Sequence, residues 1–109
     1  MYAVIFEVEV KAEGKDEYLA IAAKLRKELE NLEGFISIER FQSLVNEGKL
    51  VSLSFWESEE AIINWRNHQE HSQAQQKGKQ QLFSNYRIRV AKVVRDYSIE
   101  DREQAPFDK

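Results

Sequence analysis

The amino-acid sequence predicts an α+β fold in which two helices cover one face of a four-stranded antiparallel sheet. Apolar residues alternate with a period of two in four segments, and they recur at three- and four-residue spacing in two others. The resulting order is strand, helix, strand, strand, helix, strand, which is the ferredoxin-like βαββαβ arrangement. Because both helices lie on one side, the other sheet face keeps apolar side chains, and we expect a second copy of the chain to cover it.

The first strand and the first helix occupy the N-terminal third. Residues 2–10 alternate between an apolar and a mixed set, which predicts a strand, and the polar residues 11–14 predict a turn. From Lys15 onward the apolar spacing is helical, and Gly34 is placed to act as the C-terminal cap of this helix. The predicted inward face of the helix consists of Tyr18, Ala22, Leu25, Leu29 and Leu32.

Alternation returns in residues 35–44 and again in residues 50–56, with a hairpin turn between them at residues 46–49. Ser58 predicts the N-cap of the second helix, because its hydroxyl can accept a hydrogen bond from a backbone N–H of the first turn. Whether helix extends through residues 72–82 stays open. The predicted inward stripe of this helix consists of Ala61, Ile62, Trp65 and Gln69.

Residues 84–96 predict the last strand, so the expected organisation is one domain, 1–96, followed by a polar tail, 97–109. This strand carries a run of basic side chains that indicates a solvated sheet edge, an anionic substrate or a salt bridge between subunits. The run consists of Arg87, Arg89, Lys92 and Arg95.

Composition excludes several function classes. The absence of cysteine excludes a disulfide scaffold, a cysteine-ligated metal centre and thiol catalysis. A net charge of −3 gives no electrostatic basis for binding nucleic acid. The apolar run at residues 1–6 is far shorter than the ~20 residues that span a bilayer and has no signal-peptide features. We therefore expect a cytoplasmic protein with no membrane partner.

The candidate site residues are Trp65, His68 and His71, which fall along one side of the predicted second helix. An indole beside two imidazoles that titrate near neutral pH predicts a wall of a ligand pocket. Two alternatives stay open: the histidines are solvated residues near a helix end, and Trp65 fills the core. The histidine pair lacks a third ligand beyond Glu70, and no H-E-x-x-H is present, so we expect no metal site.

Three segments carry a resemblance to a known family: Leu32-Glu33-Gly34-Phe35, the run Phe55-Trp56-Glu57-Ser58-Glu59-Glu60-Ala61, and Trp65 with the histidine pair. Over residues 2–96 the chain resembles the antibiotic biosynthesis monooxygenase (ABM) family of the dimeric α+β barrel superfamily. The resemblance implies a homodimer with a pocket in each subunit between sheet and helices. Some members of the family oxidise a small aromatic substrate with dioxygen and without metal or flavin.

The resemblance therefore implies a cofactor-independent monooxygenase acting on a small, quinol-like aromatic molecule. In this hypothesis His68 or His71 is the general base. The substrate contacts are expected from Trp65, Phe6, Asn67 and Phe83.

Two alternatives remain: haem binding with haem degradation, and a non-catalytic dimer that binds a small molecule. The haem-degrading branch of the family uses an asparagine on the first strand, a tryptophan on the second helix and a histidine further along that helix. Trp65 matches the tryptophan, but the other two positions fall at Glu7 and near Gln75.

Overall fold

The computed structural model describes residues 1–73 and 83–106, and the side chains of residues 69–73 and 83 lie outside that description. The order of elements confirms the predicted fold class. A 3-10 turn, Ala12–Gly14, precedes the first helix. The helices and strands are β1 (Tyr2–Val10), α1 (Lys15–Leu29), β2 (Phe35–Gln42), β3 (Lys49–Trp56), α2 (Glu59–Gln73) and β4 (Phe83–Lys92).

The four strands form one antiparallel sheet in the order β2-β3-β1-β4, so β3 and β1 are central and β2 and β4 are the edges. Side chains of β1 and β3 divide strictly between the two faces, because successive residues of a strand point in opposite directions. Leu50, Ser52, Ser54 and Trp56 of β3 are buried beneath the helices. We call this side of the sheet the helix face and the other side the open face.

The apolar core on the helix face is divided into two clusters. One contains Val4, Leu29, Ile38, Trp56 and Ile62, and it joins the sheet to the end of α1 and the start of α2. The other contains Val8, Val10, Tyr18 and Leu50, and it joins the sheet to the start of α1.

The first helix ends earlier than the sequence predicts. It stops at Leu29, and the expectation that Gly34 is its C-cap is wrong. Leu32 lies in the turn after the helix but still packs against the core. Its apolar side chain therefore continues the helical spacing beyond the end of the helix. Gly34 has φ +84°, and a Cβ there would lie 2.6 Å from the Cβ of Ala61. Glycine is therefore required where the loop passes against the first turn of α2.

Two strand ends also differ from the expected ends, 44 and 96. Strand β2 ends at Gln42, whose side-chain amide donates to carbonyl oxygens of the β2–β3 hairpin, including that of Glu47 at 2.9 Å. Strand β4 ends at Lys92, which pairs with Tyr2 at the start of β1. The backbone N–H of Val93 donates to the Met1 carbonyl at 3.0 Å, one residue beyond the strand.

The open face carries the apolar surface that the sequence predicts. Its residues are only partly buried within one copy, and Phe41 is 46% exposed. The apolar patch consists of Ile5, Phe41, Val51, Leu53 and Phe55. Among the described helices, none is long and apolar enough to cross a membrane.

Candidate functional site

The second helix begins as predicted and turns its apolar stripe toward the sheet. The Ser58 hydroxyl accepts a hydrogen bond from the backbone N–H of Ala61 at 3.1 Å, which confirms the N-cap. Ile62 is 4% exposed, and Trp65 is half-buried on the same side of the helix. Helical spacing from this cap therefore fixes Trp65 against the helix face.

Trp65 is the outermost of three aromatic side chains that contact one another in series. Its indole stacks on that of Trp56 with centroids 5.3 Å apart and planes at 27°. Phe35 meets the other side of Trp56 edge-on at 5.3 Å. Trp56 is fully buried, and its Nε1–H donates to the Ser54 hydroxyl at 2.9 Å. Trp56 is thus core, whereas Trp65 is both packed against the core and partly exposed.

A row of four residues runs across the helix face between the two apolar clusters. Arg40 of β2 pairs with Ser52 of β3, Ser52 pairs with Phe6 of β1, and Phe6 pairs with Ile88 of β4. Neighbouring strands lie ~4.8 Å apart, so the row is about 14 Å long. It changes along its length from a guanidinium to a hydroxyl, an aromatic ring and an aliphatic side chain.

The polar end of the row lies under α1. Arg40 contacts Tyr18, and its Nε is buried without a hydrogen-bond partner in the described part of the chain. Burial raises the pKa of the Tyr18 phenol, and the Arg40 guanidinium offsets part of that rise. An unpaired buried donor lowers the free energy of unfolding by about 1–3 kcal/mol, so the Nε–H of Arg40 destabilises the fold.

The apolar end of the row is incompletely covered. Val90 and Tyr86, which share the helix face with Ile88, are 48% and 60% exposed. The Phe6 ring lies 6.0 Å from that of Tyr86, and Ile88, like Trp65, packs against the first apolar cluster. Within the described part of the chain, the helix face therefore carries a partly exposed apolar surface at this end of the row.

The predicted site residues fall in different places. Trp65 and Phe6 both lie on the helix face, in different clusters. His68 is exposed one turn beyond Trp65, and Asn67 is exposed two residues beyond it, on another side of the helix. The side chains of His71 and Phe83 lie outside the described residues, so their predicted roles stay predictions.

Of the three positions that the resemblance gives for the haem-degrading branch, the structure describes two, and Glu7 is not on the helix face. Glu7 lies on the open face, where its carboxylate pairs with Lys49 at 2.8 Å and with Arg89. On β1 it is Phe6 that faces the helices, and it carries no amide. Gln75, near the expected histidine position, lies outside the described residues. Of the two described positions, Trp65 alone is on the helix face.

The ion pairs of Glu7 give a partner to one residue of the basic run on β4. Hydrogen bonding to Lys49 holds the pKa of the Glu7 carboxyl below its ordinary value, and Arg89 acts in the same direction. These three residues border an open-face groove of about 390 Å³. Arg89 is therefore paired within its own subunit. In the described segments there is no group of three or more residues suited to hold a metal ion.

Sequence reasoning missed Arg40 and Ser52. The signal was present, because Arg40 is in phase with buried Ile38 along β2, and Ser52 is in phase with buried Leu50 along β3. Polar side chains in the buried phase of a strand need a structural or functional reason.

Comparison with known proteins gives one family. The profile of the Antibiotic biosynthesis monooxygenase family matches residues 1–77. The chain is 43% identical over 93 residues to a jasmonate monooxygenase of Pyricularia oryzae, covering 85% of this chain and 43% of that relative. It thus spans less than half the length of that curated relative.

Two solved structures show the same fold. A putative antibiotic biosynthesis monooxygenase from Deinococcus radiodurans superimposes with a TM-score of 0.78 at 13% identity, covering 91% of this chain and 98% of the other. A haem degrader of Mycobacterium tuberculosis, with two haems bound in its active site, gives a TM-score of 0.72 at 21% identity. The match covers 90% of this chain and 100% of the haem degrader.

Proposed function

The chain belongs to the antibiotic biosynthesis monooxygenase family, and from that premise we propose that it oxidises a small, quinol-like aromatic substrate with dioxygen and no cofactor. The observation that carries the proposal is the partly exposed apolar surface at the Ile88 end of the row, on the same sheet face as Trp65. A flat aromatic substrate would lie there against Phe6 and Ile88, with the Trp65 indole as a wall. The name of the Pyricularia relative, a jasmonate monooxygenase, supports a small organic substrate.

The proposed reaction converts a phenol with a hydrogen at its para carbon into a quinone. A base removes the phenolic proton, and the electron-rich ring gives electrons to dioxygen. A bond forms between the para carbon and one oxygen atom; the O–O bond then breaks. One oxygen atom stays as the new carbonyl, and the other leaves as water with two hydrogens from the substrate. The substrate supplies all the electrons, so the balance requires no other reductant.

We propose that His68 or His71 provides the base. Both lie on α2 beyond Trp65, at a spacing of three residues that places them on one side of a helix. An imidazole is a common general base in enzymes, and such a base contributes ~10²–10⁴-fold. Trp65 and Phe6 would orient the ring and exclude water from the reacting carbon.

The active form is proposed to be a homodimer. The open face exposes an apolar patch that one copy leaves uncovered, and the same patch on a second copy is self-complementary across a two-fold axis. Packing two sheets through their open faces would leave both helix faces, and both proposed pockets, on the outside of the pair.

Oxygen uptake tests the proposal. Chelator-dialysed protein is given 1-naphthol and related phenols with a free para carbon. We expect turnover by the wild type, at least a tenfold loss in His68→Ala or His71→Ala, and no change in the matched control Asn64→Ala, an exposed position of α2. Equal rates in all four proteins would remove the histidines from the mechanism. Titration with hemin tests the alternative: a saturable Soret band lost in a histidine variant would favour haem chemistry.

A further inference from the structure

The polar end of the row on the helix face has features that packing does not explain. Arg40 is an always-charged side chain on the covered face of the sheet, and its Nε is buried with no partner in the described residues. Its neighbour in the row is Ser52, which is 7% exposed and occupies a position where a larger apolar residue would join the two clusters. Chain stability alone would favour an apolar pair here.

The hydroxyl of Ser54, the next residue of β3 on the helix face, already has a partner. It accepts a hydrogen bond from the indole N–H of Trp56 at 2.9 Å. The guanidinium of Arg40 is a planar donor fork suited to a carboxylate, and Tyr18 places a phenolic oxygen against it. Arg40 therefore brings a positive charge and N–H donors into the same row of the helix face as Phe6 and Ile88.

We propose that Arg40 and Ser52 form an anion subsite that receives a carboxylate of the substrate, with the substrate's apolar ring lying along Phe6 toward Trp65. The subsite rests on the proposed function for its place in the reaction, and it adds a substrate class: aryl- or cycloalkyl-alkanoic acids. The row is about 14 Å long, so a two-ring body with a one- or two-carbon acid chain spans from Ile88 to Arg40. Arg40 acts as a specificity-determining residue.

The test compares an acid with its neutral ester. Isothermal titration calorimetry measures the binding of 1-naphthaleneacetate and of methyl 1-naphthaleneacetate to the full chain. We expect the wild type to bind the acid at least tenfold more tightly than the ester, because a charge-assisted hydrogen bond to the guanidinium exists only with the acid. In Arg40→Gln the preference falls below twofold while the affinity for the ester is unchanged. The control Arg26→Gln, an exposed position of α1, behaves as the wild type.

A second variant and a stability measurement separate a binding role from a structural one. Arg40→Lys keeps the charge but loses the planar fork, so part of the preference remains. The melting temperature of Arg40→Gln is equal to or above that of the wild type, because a buried unpaired donor has been removed. The proposal is overturned by equal binding of acid and ester to the wild type, by equal weakening of both in Arg40→Gln, or by no binding of the acid at 1 mM, a concentration at which even weak sites are occupied.

Failure of the proposed function gives a different result. Calorimetry requires no turnover, so a chain that consumes no oxygen with any phenol but still prefers the acid through Arg40 keeps the anion subsite and loses the monooxygenase proposal. A chain that oxidises neutral phenols and does not distinguish acid from ester keeps the reaction and loses the subsite.

Discussion

The indole of Trp65 on α2 stacks on that of Trp56 at the end of β3, with centroids 5.3 Å apart. This contact joins the second helix to the sheet and sets one wall of the proposed pocket. Trp65→Ala should lower the free energy of unfolding by about 2–4 kcal/mol, because a large, half-buried aromatic side chain is lost. Urea denaturation followed by circular dichroism measures this value without depending on tryptophan fluorescence.

Trp65→Phe is the conservative variant, and it should cost about 1 kcal/mol because a ring still faces Trp56. Ile63→Ala, which is 53% exposed on the same helix, is the control and should change stability by no more than about 1 kcal/mol. If Trp65→Ala is as stable as the control, the indole stack does not hold the helix against the sheet.

Gly34 should tolerate no side chain. Its φ of +84° is in the left-handed region, and a Cβ there would meet the Ala61 Cβ at 2.6 Å. Gly34→Ala should therefore destabilise by at least about 2 kcal/mol, measured as a shift of the urea midpoint. Gly48→Ala is the matched control, because its Cβ would lie 3.6 Å from its nearest neighbours in ordinary contact. Equal effects of the two substitutions would mean that the loop at Gly34 moves freely away from α2.

The Glu7 ion pairs predict a pH dependence of stability. Lys49 lowers the pKa of the Glu7 carboxyl in the folded chain below its ordinary value of 4.5. The contribution of Glu7 is therefore fully present above that value, and it is lost as the pH falls through the lower folded-state pKa. Between about pH 5 and pH 3 the melting temperature of Glu7→Gln should fall less steeply than that of the wild type.

High salt should shrink this difference, because the pair is near solvent and is screened. Glu13→Gln, an exposed position in the turn before α1, retains the Glu7 pairs and should follow the wild type. Parallel pH profiles for wild type and Glu7→Gln would contradict the assignment of a stabilising role to these pairs.

The open face predicts self-association. Leu53 lies at the centre of the apolar patch, paired with Ile5 on one side and Glu39 on the other. Leu53→Lys places a charge on each side of the proposed two-fold interface and should weaken the dimer by at least a factor of about 100. Sedimentation velocity over a range of concentrations measures this change. Ile63→Lys, exposed on α2, should leave the dimer intact; a monomeric wild type would refute the interface itself.

The sequence predicts the architecture well where one periodicity governs a whole segment. Tyr2–Val10 has the predicted bounds because apolar residues alternate along its entire length. The prediction is wrong where a residue keeps contact with the core after its element has ended. Leu32 extends the helical spacing beyond Leu29, and this hides the helix end.

The sequence predicted the position of Trp65 on the inward stripe of α2, because an aromatic side chain at helical spacing is a strong local signal. Arg40 lies in the buried phase of β2, but its place beside Ser52 depends on the register between two strands, which the periodicity of a single strand does not determine. The side chain of His71 lies outside the description, so its role depends on experiment.

The most direct test of the proposed oxidation follows the atoms of labelled dioxygen. Chelator-dialysed protein oxidises 1-naphthol under ¹⁸O₂, and mass spectrometry counts the labelled atoms in the quinone. We expect one heavy oxygen per quinone, the other being released in water. We also expect Trp65→Ala to lose this product and Trp65→Phe to restore part of it. A quinone without label, a reaction that needs added metal or haem, or full activity in Trp65→Ala would contradict it.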